Sequence, residues 1–115
     1  MDKDTLYLLP DPLWNGKYER IRLSKKYIDV IKTKFNEFFK DGEIYLFGSR
    51  VDKDKKGGDI DLYFVLKEHD NLFEKKIKFL SRVKRELGEQ KIDIIFNQDK
   101  NRLIEKEAIR WGIKL

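Results

Sequence analysis

Asp59 and Asp61, one residue apart, and a Gly48-Ser49 pair upstream are the residues whose types and spacing suit chemistry. They lie in one stretch, Glu43 to Val65, which reads EIYLFGSRVDKDKKGGDIDLYFV. Successive strand side chains point to opposite faces. Asp59 and Asp61 therefore share a face, about 7 Å apart at roughly 3.3 Å per residue, while Ile60 and Leu62 turn into a core. Two carboxylates on one face repel each other unless a cation sits between them. Hard oxygen donors suit Mg²⁺, which binds through one or two carboxylates plus substrate phosphates. Gly48 lets the main chain approach a ligand, and Ser49 offers a hydroxyl and an N–H to phosphate oxygens. A helix starting at Ser49 would add an N-terminus that favours an anion. The stretch thus pairs a triphosphate side with a metal side. A Gly-Ser turn or an Asp-x-Asp alone is a weak signal; their order between two strand patterns gives them meaning.

A third acid follows downstream. Lys91 to Phe96 is a β-branched run with Asp93 inside it. A carboxylate buried without a partner is costly. The simplest account is that Asp93 joins Asp59 and Asp61 around metal; the alternative is a solvent-facing Asp on an edge strand. Arg50 directly follows Gly48-Ser49, where a guanidinium can meet a phosphate bidentately or point to solvent. Lys53, Lys55 and Lys56 in the intervening loop read as ordinary surface charges.

Regular elements must position these residues. Leu23 to Lys40 has helical spacing, with Ser24 as cap and Tyr27, Val30, Ile31, Phe35, Phe38 and Phe39 as its apolar stripe. Asp41-Gly42 ends it. Ile44 to Phe47 and Asp59 to Val65 read as strands. Asp70 or Asn71 caps a second helix with Phe73, Ile77, Leu80, Val83 and Leu87 on its buried face, ending at Gly88. Arg102 to Trp111 is a last helix, with Trp111 expected to pack rather than to touch a ligand, and Ile113 to Leu115 trails off. The order helix, strand, Gly-Ser turn, strand, helix, strand, helix implies an α/β fold, a small mixed sheet with helices packed on it. Residues 23–115 form the expected core. Residues 1–17, with Leu6 to Leu9 as a possible strand and turn signals at Pro10, Pro12 and Asn15-Gly16, form an arm that covers its own domain or docks a partner.

Composition sets the outer bounds. The sequence of 115 residues fits a single domain, 1–115. It is 41% charged and 40% hydrophobic, the balance of a folded chain. It has no cysteine, which excludes disulfides and thiolate metal sites. With no long apolar run and no signal-peptide core, a cytoplasmic location away from membranes is expected. The net charge of +5 suits an anionic substrate such as a nucleoside triphosphate. The helix charges alternate in sign, which favours a solvated face over a nucleic-acid patch, so nucleic acid is not the expected substrate.

Gly48, Ser49 and Arg50, a spacer, and Asp59-Ile60-Asp61-Leu62 resemble the signature of the minimal nucleotidyltransferases, a small group in the DNA polymerase beta-like superfamily. The chain departs from that group's pattern in lacking an early second Arg and Gly in the spacer, and in placing Gly58 where a Ser often precedes the first Asp. The close, Glu107-Ala108-Ile109-Arg110-Trp111-Gly112-Ile113, is also similar. The resemblance spans roughly Leu23 to Leu115 and implies a polymerase beta-like core. It implies catalytic and metal-binding roles for Asp59, Asp61 and Asp93, and nucleotide binding at Gly48, Ser49 and Arg50. It further implies two Mg²⁺ ions and ATP as substrate.

Stand-alone proteins of this kind commonly pair with a HEPN-domain ribonuclease toxin and act as antitoxins by adding AMP to one of its tyrosines. The resemblance therefore implies a protein adenylyltransferase in a type VII-like toxin–antitoxin system, as part of a homo- or hetero-oligomer. Nothing in the residues fixes the base as adenine. Two other readings stand beside it: a small-molecule nucleotidyltransferase, and a binding-only antitoxin that neutralises its partner sterically. A dedicated acceptor-binding domain is not expected within 115 residues, which points to recognition by the core, the arm or a separate protein.

Overall fold

The computed structural model describes residues 21–51 and 58–115. The possible strand at Leu6 to Leu9, the rest of the 1–17 arm, and Lys53, Lys55 and Lys56 lie outside the described residues. Helix α1 spans Lys25–Phe38 and is capped by Ser24, whose Oγ accepts from the Tyr27 N–H. Strand β1 (Gly42–Phe47) leads into a four-residue 3₁₀ turn, Gly48–Val51. Strand β2 is Ile60–Leu66, helix α2 is Leu72–Leu87 and strand β3 is Ile92–Phe96. Helix α3 (Leu103–Trp111) is followed by β4, Ile113–Lys114.

These strands form one mixed sheet in the order β3-β2-β1-β4. The β1–β2 and β1–β4 pairs are antiparallel and the β2–β3 pair is parallel. The expected α/β fold, a small mixed sheet with helices packed on it, is the one observed. The tail differs from expectation. Ile113 and Lys114 pair with Leu46 and Tyr45, because the end of β1 would otherwise expose an unpaired edge.

Helices α1 and α2 cover one face of the sheet. Ile28, Ile31 and Phe35 from α1, followed by Phe39, meet Ile44, Leu46, Ile60, Leu62 and Phe64 from the strands and Phe79 and Val83 from α2. Phe64 has edge-on contacts with Phe35, Phe39 and Phe79 at centroid distances of 4.8, 5.2 and 5.3 Å. Replacing such a fully buried ring by Ala costs about 3–5 kcal/mol. The buried stripe of α2 is the expected one in part: Val83 is buried, and Leu80 and Leu87 pack against the core. Phe73 and Ile77 face outward, Phe73 at 76% exposure, and Phe79 is fully buried. The helix carries more apolar residues than one face can bury, and the face presenting Phe79 to Phe64 is the one covered.

Helix α3 covers part of the other face. It starts beside the end of β3, where the Arg102 Nη2 donates to the Phe96 carbonyl. It ends beside β1, where Gly112 approaches the Tyr45 Cβ. Midway, Ala108 packs on Phe47 and Tyr63. Helix α3 therefore crosses this face diagonally. On one flank is a cleft of about 470 Å³, lined by Tyr45, Tyr63, Asn97, Glu105 and Ile109, among others, at the end of the strands opposite the carboxylates described below. Trp111, expected to pack, is 60% exposed instead. Among the described residues no helix is long and apolar enough to cross a membrane.

Candidate active site

The site forms where β1 and β2 meet and where β2 and β3 begin. The β1–β2 register pairs Phe47 with Asp61, so Gly48 follows directly beside the carboxylate. Gly48 has φ +75, which L side chains avoid, and a Cβ there would collide with the Asp61 Oδ2. Glycine is thus favoured by conformation, and any larger residue would have to displace the Asp61 carboxylate. The described residues of this segment, Gly48–Val51, form a 3₁₀ turn. Ser49 offers its own hydroxyl and N–H there. The turn is tied down from below: the Arg22 Nη2 donates to the Ser49 carbonyl at 3.1 Å, and the Arg22 N–H to the Arg50 carbonyl at 2.7 Å.

Arg50 takes neither of the orientations weighed from sequence. Its guanidinium donates to the carbonyls of Arg22 (2.6 Å), Gly58 (2.8 Å) and Asp59 (3.3 Å). It clamps both ends of the segment between the turn and β2, holding Asp59 at the strand entrance.

Asp59 stands immediately before β2, and Asp61 lies within it. Ile60 and Leu62, on the opposite face, are fully buried. The parallel β2–β3 register sets Asp61 directly against Asp93. The three aspartates expected to act together are thus brought to one end of the sheet. Asp93 is exposed rather than buried in its apolar run. Burial, then the charges of Asp93, Asp59 and Glu107, push the Asp61 carboxyl above its ordinary value, with Lys91 opposing them.

Lys91 shares this face because it lies two residues before Asp93. Its Nζ is 3.3 Å from the Asp59 Oδ2 and 3.9 Å from the Asp93 Oδ2. The hydrogen bond to Asp59, then the charges of Asp59 and Asp93, raise the Lys91 pKa. A cation already sits between two of the three carboxylates, as their mutual repulsion demands. Among the described residues no three acidic or histidine side chains form a ready-made metal cage. The donor set nonetheless fits a hard cation: oxygen donors only, like-charged, on one face, and already drawing the Lys91 ammonium.

Lys91, Arg22 and Glu107 were not singled out from the sequence. The period of two relating Lys91 to Asp93 is legible in the sequence; nothing there places Glu107 near Asp61 or Arg22 under Ser49.

A second polar cluster anchors α3. Glu105 is fully buried, and its carboxylate accepts from the Tyr63 hydroxyl, the N–H groups of Gln98 and Asp99, and the Arg102 Nε. Burial alone would raise its pKa, but these four hydrogen bonds hold it below its ordinary value. Burial, then the bond to Glu105, pushes the Tyr63 hydroxyl up to about 12. The helix that borders the aspartates is therefore fixed at its first turn.

No curated protein matches the chain. The family model described as "Polymerase beta, Nucleotidyltransferase" matches residues 18–115. With that match over most of its length, and with the four-stranded mixed sheet and three helices described above, the chain belongs to the polymerase beta nucleotidyltransferase family, whose general chemistry is nucleotidyl transfer.

Proposed function

We propose that the protein transfers AMP from ATP to a tyrosine hydroxyl of a HEPN-domain ribonuclease toxin, as the antitoxin of a type VII-like pair and a member of the minimal nucleotidyltransferase group. The supporting observation is the Asp61–Asp93 pairing across β2 and β3, with Asp59 at the strand entrance and the Gly48-Ser49 turn packed against Asp61.

In this reading Asp59, Asp61 and Asp93 hold Mg²⁺. Bound there, divalent ions would neutralise charge on the triphosphate and on the attacking and leaving oxygens. Ser49 donates its hydroxyl and N–H to the terminal phosphates, and the absence of a side chain at Gly48 leaves room for them. Arg50 acts through the main chain, keeping Asp59 and the turn in place. Asp93, the most exposed position of the facing pair, accepts the proton of the attacking hydroxyl. The new bond joins the acceptor oxygen to the α-phosphorus. The bond from that phosphorus to the bridging oxygen breaks, and pyrophosphate leaves with the electron pair. Positioning and charge neutralisation carry most of such a reaction.

The test is the intact mass of a HEPN-domain toxin after incubation with this protein, ATP and Mg²⁺, with Asp59→Ala/Asp61→Ala as control. One or more added AMP masses, absent in the control, is the expected result. A stable complex without added mass would instead favour the binding-only reading. Neither complex nor added mass would direct the search to a small-molecule acceptor.

A further inference from the structure

We infer that Trp111 is the platform on which the base of the bound nucleotide stacks, so that the site holds a base by its π-face rather than reading its edge. This rests on the nucleotidyl-transfer reading of the aspartate cluster and adds to it the site for the base.

Helix α3 runs from the far end of β3 to the end of β1 that carries the Gly48-Ser49 turn, and it packs against that turn. Trp111 is its last residue. One turn earlier on the same side is Glu107, whose charge acts on Asp61. Trp111 therefore lies on the side of α3 that Glu107 presents toward Asp61, at the end of the helix packed against the turn. It is 60% exposed, which is unusual for the side chain with the most apolar area to lose. The Arg110 guanidinium lies over its ring at 5.1 Å. A cation on one face steadies the ring and leaves its aromatic area for a second flat partner.

Among the described residues, the Gln90 and Asn97 amides are already engaged. Base edges are read by side-chain amides and hydroxyls. At the aspartate end the amide is Gln90, and its Nε2 donates to the Gly58 carbonyl at 2.6 Å. The Asn97 amide is taken up by the Leu66 main chain and the His69 ring, at the opposite end of the sheet. Stacking tolerates any base and favours larger rings.

Binding of α,β-methylene ATP, the GTP and CTP counterparts, and inorganic tripolyphosphate, each with Mg²⁺, tests the idea by calorimetry. In a Trp14→Phe background Trp111 is the sole indole, and its fluorescence gives a second readout. The expected results are saturable quenching by the purine analogues, ATP and GTP forms within about 3-fold of each other, and weaker binding of the CTP form. Trp111→Ala should lose on the order of 5- to 100-fold in ATP-analogue affinity, Trp111→Phe should keep most of it, and tripolyphosphate should bind all three proteins alike. Unchanged ATP-analogue affinity in Trp111→Ala, with tripolyphosphate still bound, would overturn the inference and leave the phosphate site standing. Failure of the wild type to bind either the nucleotides or tripolyphosphate would overturn both.

Discussion

Asp61 and Asp93 are direct partners in the parallel β2–β3 ladder, two like charges where cross-strand neighbours normally complement each other. Burial and this neighbour hold the Asp61 carboxyl above its ordinary value. A raised folded-state value means that the protonated form is favoured by folding. That stability is present below the ordinary carboxylate range and is lost as pH rises through the folded value. The metal-free protein should therefore lose the contribution of Asp61, opposite in sign to that of Glu105, as pH is raised across this range. Asp61→Asn should raise its Tm by about 2–5 °C at neutral pH while lowering transfer on the order of 10²-fold or more. Thermal melts from pH 4 to 8 check this; a less stable Asp61→Asn would contradict it.

Lys91 stands where a metal ion would compete. Lys91→Met should leave stability nearly unchanged, since exposed ion pairs contribute little. It should tighten Mg²⁺ binding about 3- to 10-fold by removing the resident cation. Calorimetric titration of Mg²⁺ into both proteins decides; equal or weaker binding in the variant would show that the ammonium does not oppose the metal.

Gly48→Ala meets two obstacles at once, the positive φ and the Asp61 carboxylate. The expected cost is about 2–3 kcal/mol with loss of transfer. In an Asp61→Ala background the collision is gone and only the backbone strain remains, so the same substitution should cost about 1 kcal/mol. A double-mutant cycle by denaturant unfolding measures the difference; additive effects would exclude the contact.

Glu105 fixes α3 through four hydrogen bonds. Glu105→Ala should cost about 3 kcal/mol, as removal of a buried charged partner does. Because its pKa is lowered, the stability it contributes is present above the ordinary glutamate value and is lost as pH falls through the folded one. The variant should therefore show a shallower loss of stability in acid than the wild type, read from Tm between pH 3 and 6.

The sequence made the site's inventory legible because the period of two in β2 and the lone acid in β3 are local signals. Asp59, Asp61 and Asp93 could be collected before any packing was known. What the Gly48-Ser49 turn rests on was not legible, because Arg22 and the carbonyls that Arg50 clamps are related only by tertiary contact. The apolar stripe of α2 was legible at Leu80, Val83 and Leu87 but not at its start, because Phe73, Ile77 and Phe79 cannot share one face and only the packing of Phe79 beside Phe64 decides between them. Trp111 was expected to pack because a large aromatic usually does; the diagonal course of α3 leaves it 60% exposed. Glu105 gave no signal, since an acid in a charged helix looks like a surface residue until the turn of residues 97–101 folds over it.

The most direct test of the central claim is calorimetric binding of α,β-methylene ATP to the wild type and to Asp59→Ala/Asp61→Ala, with and without Mg²⁺. The account predicts saturable binding to the wild type that depends on Mg²⁺ and is lost in the double variant. Equal binding by both proteins, or binding indifferent to Mg²⁺, would contradict the assignment of these aspartates to a metal–nucleotide site.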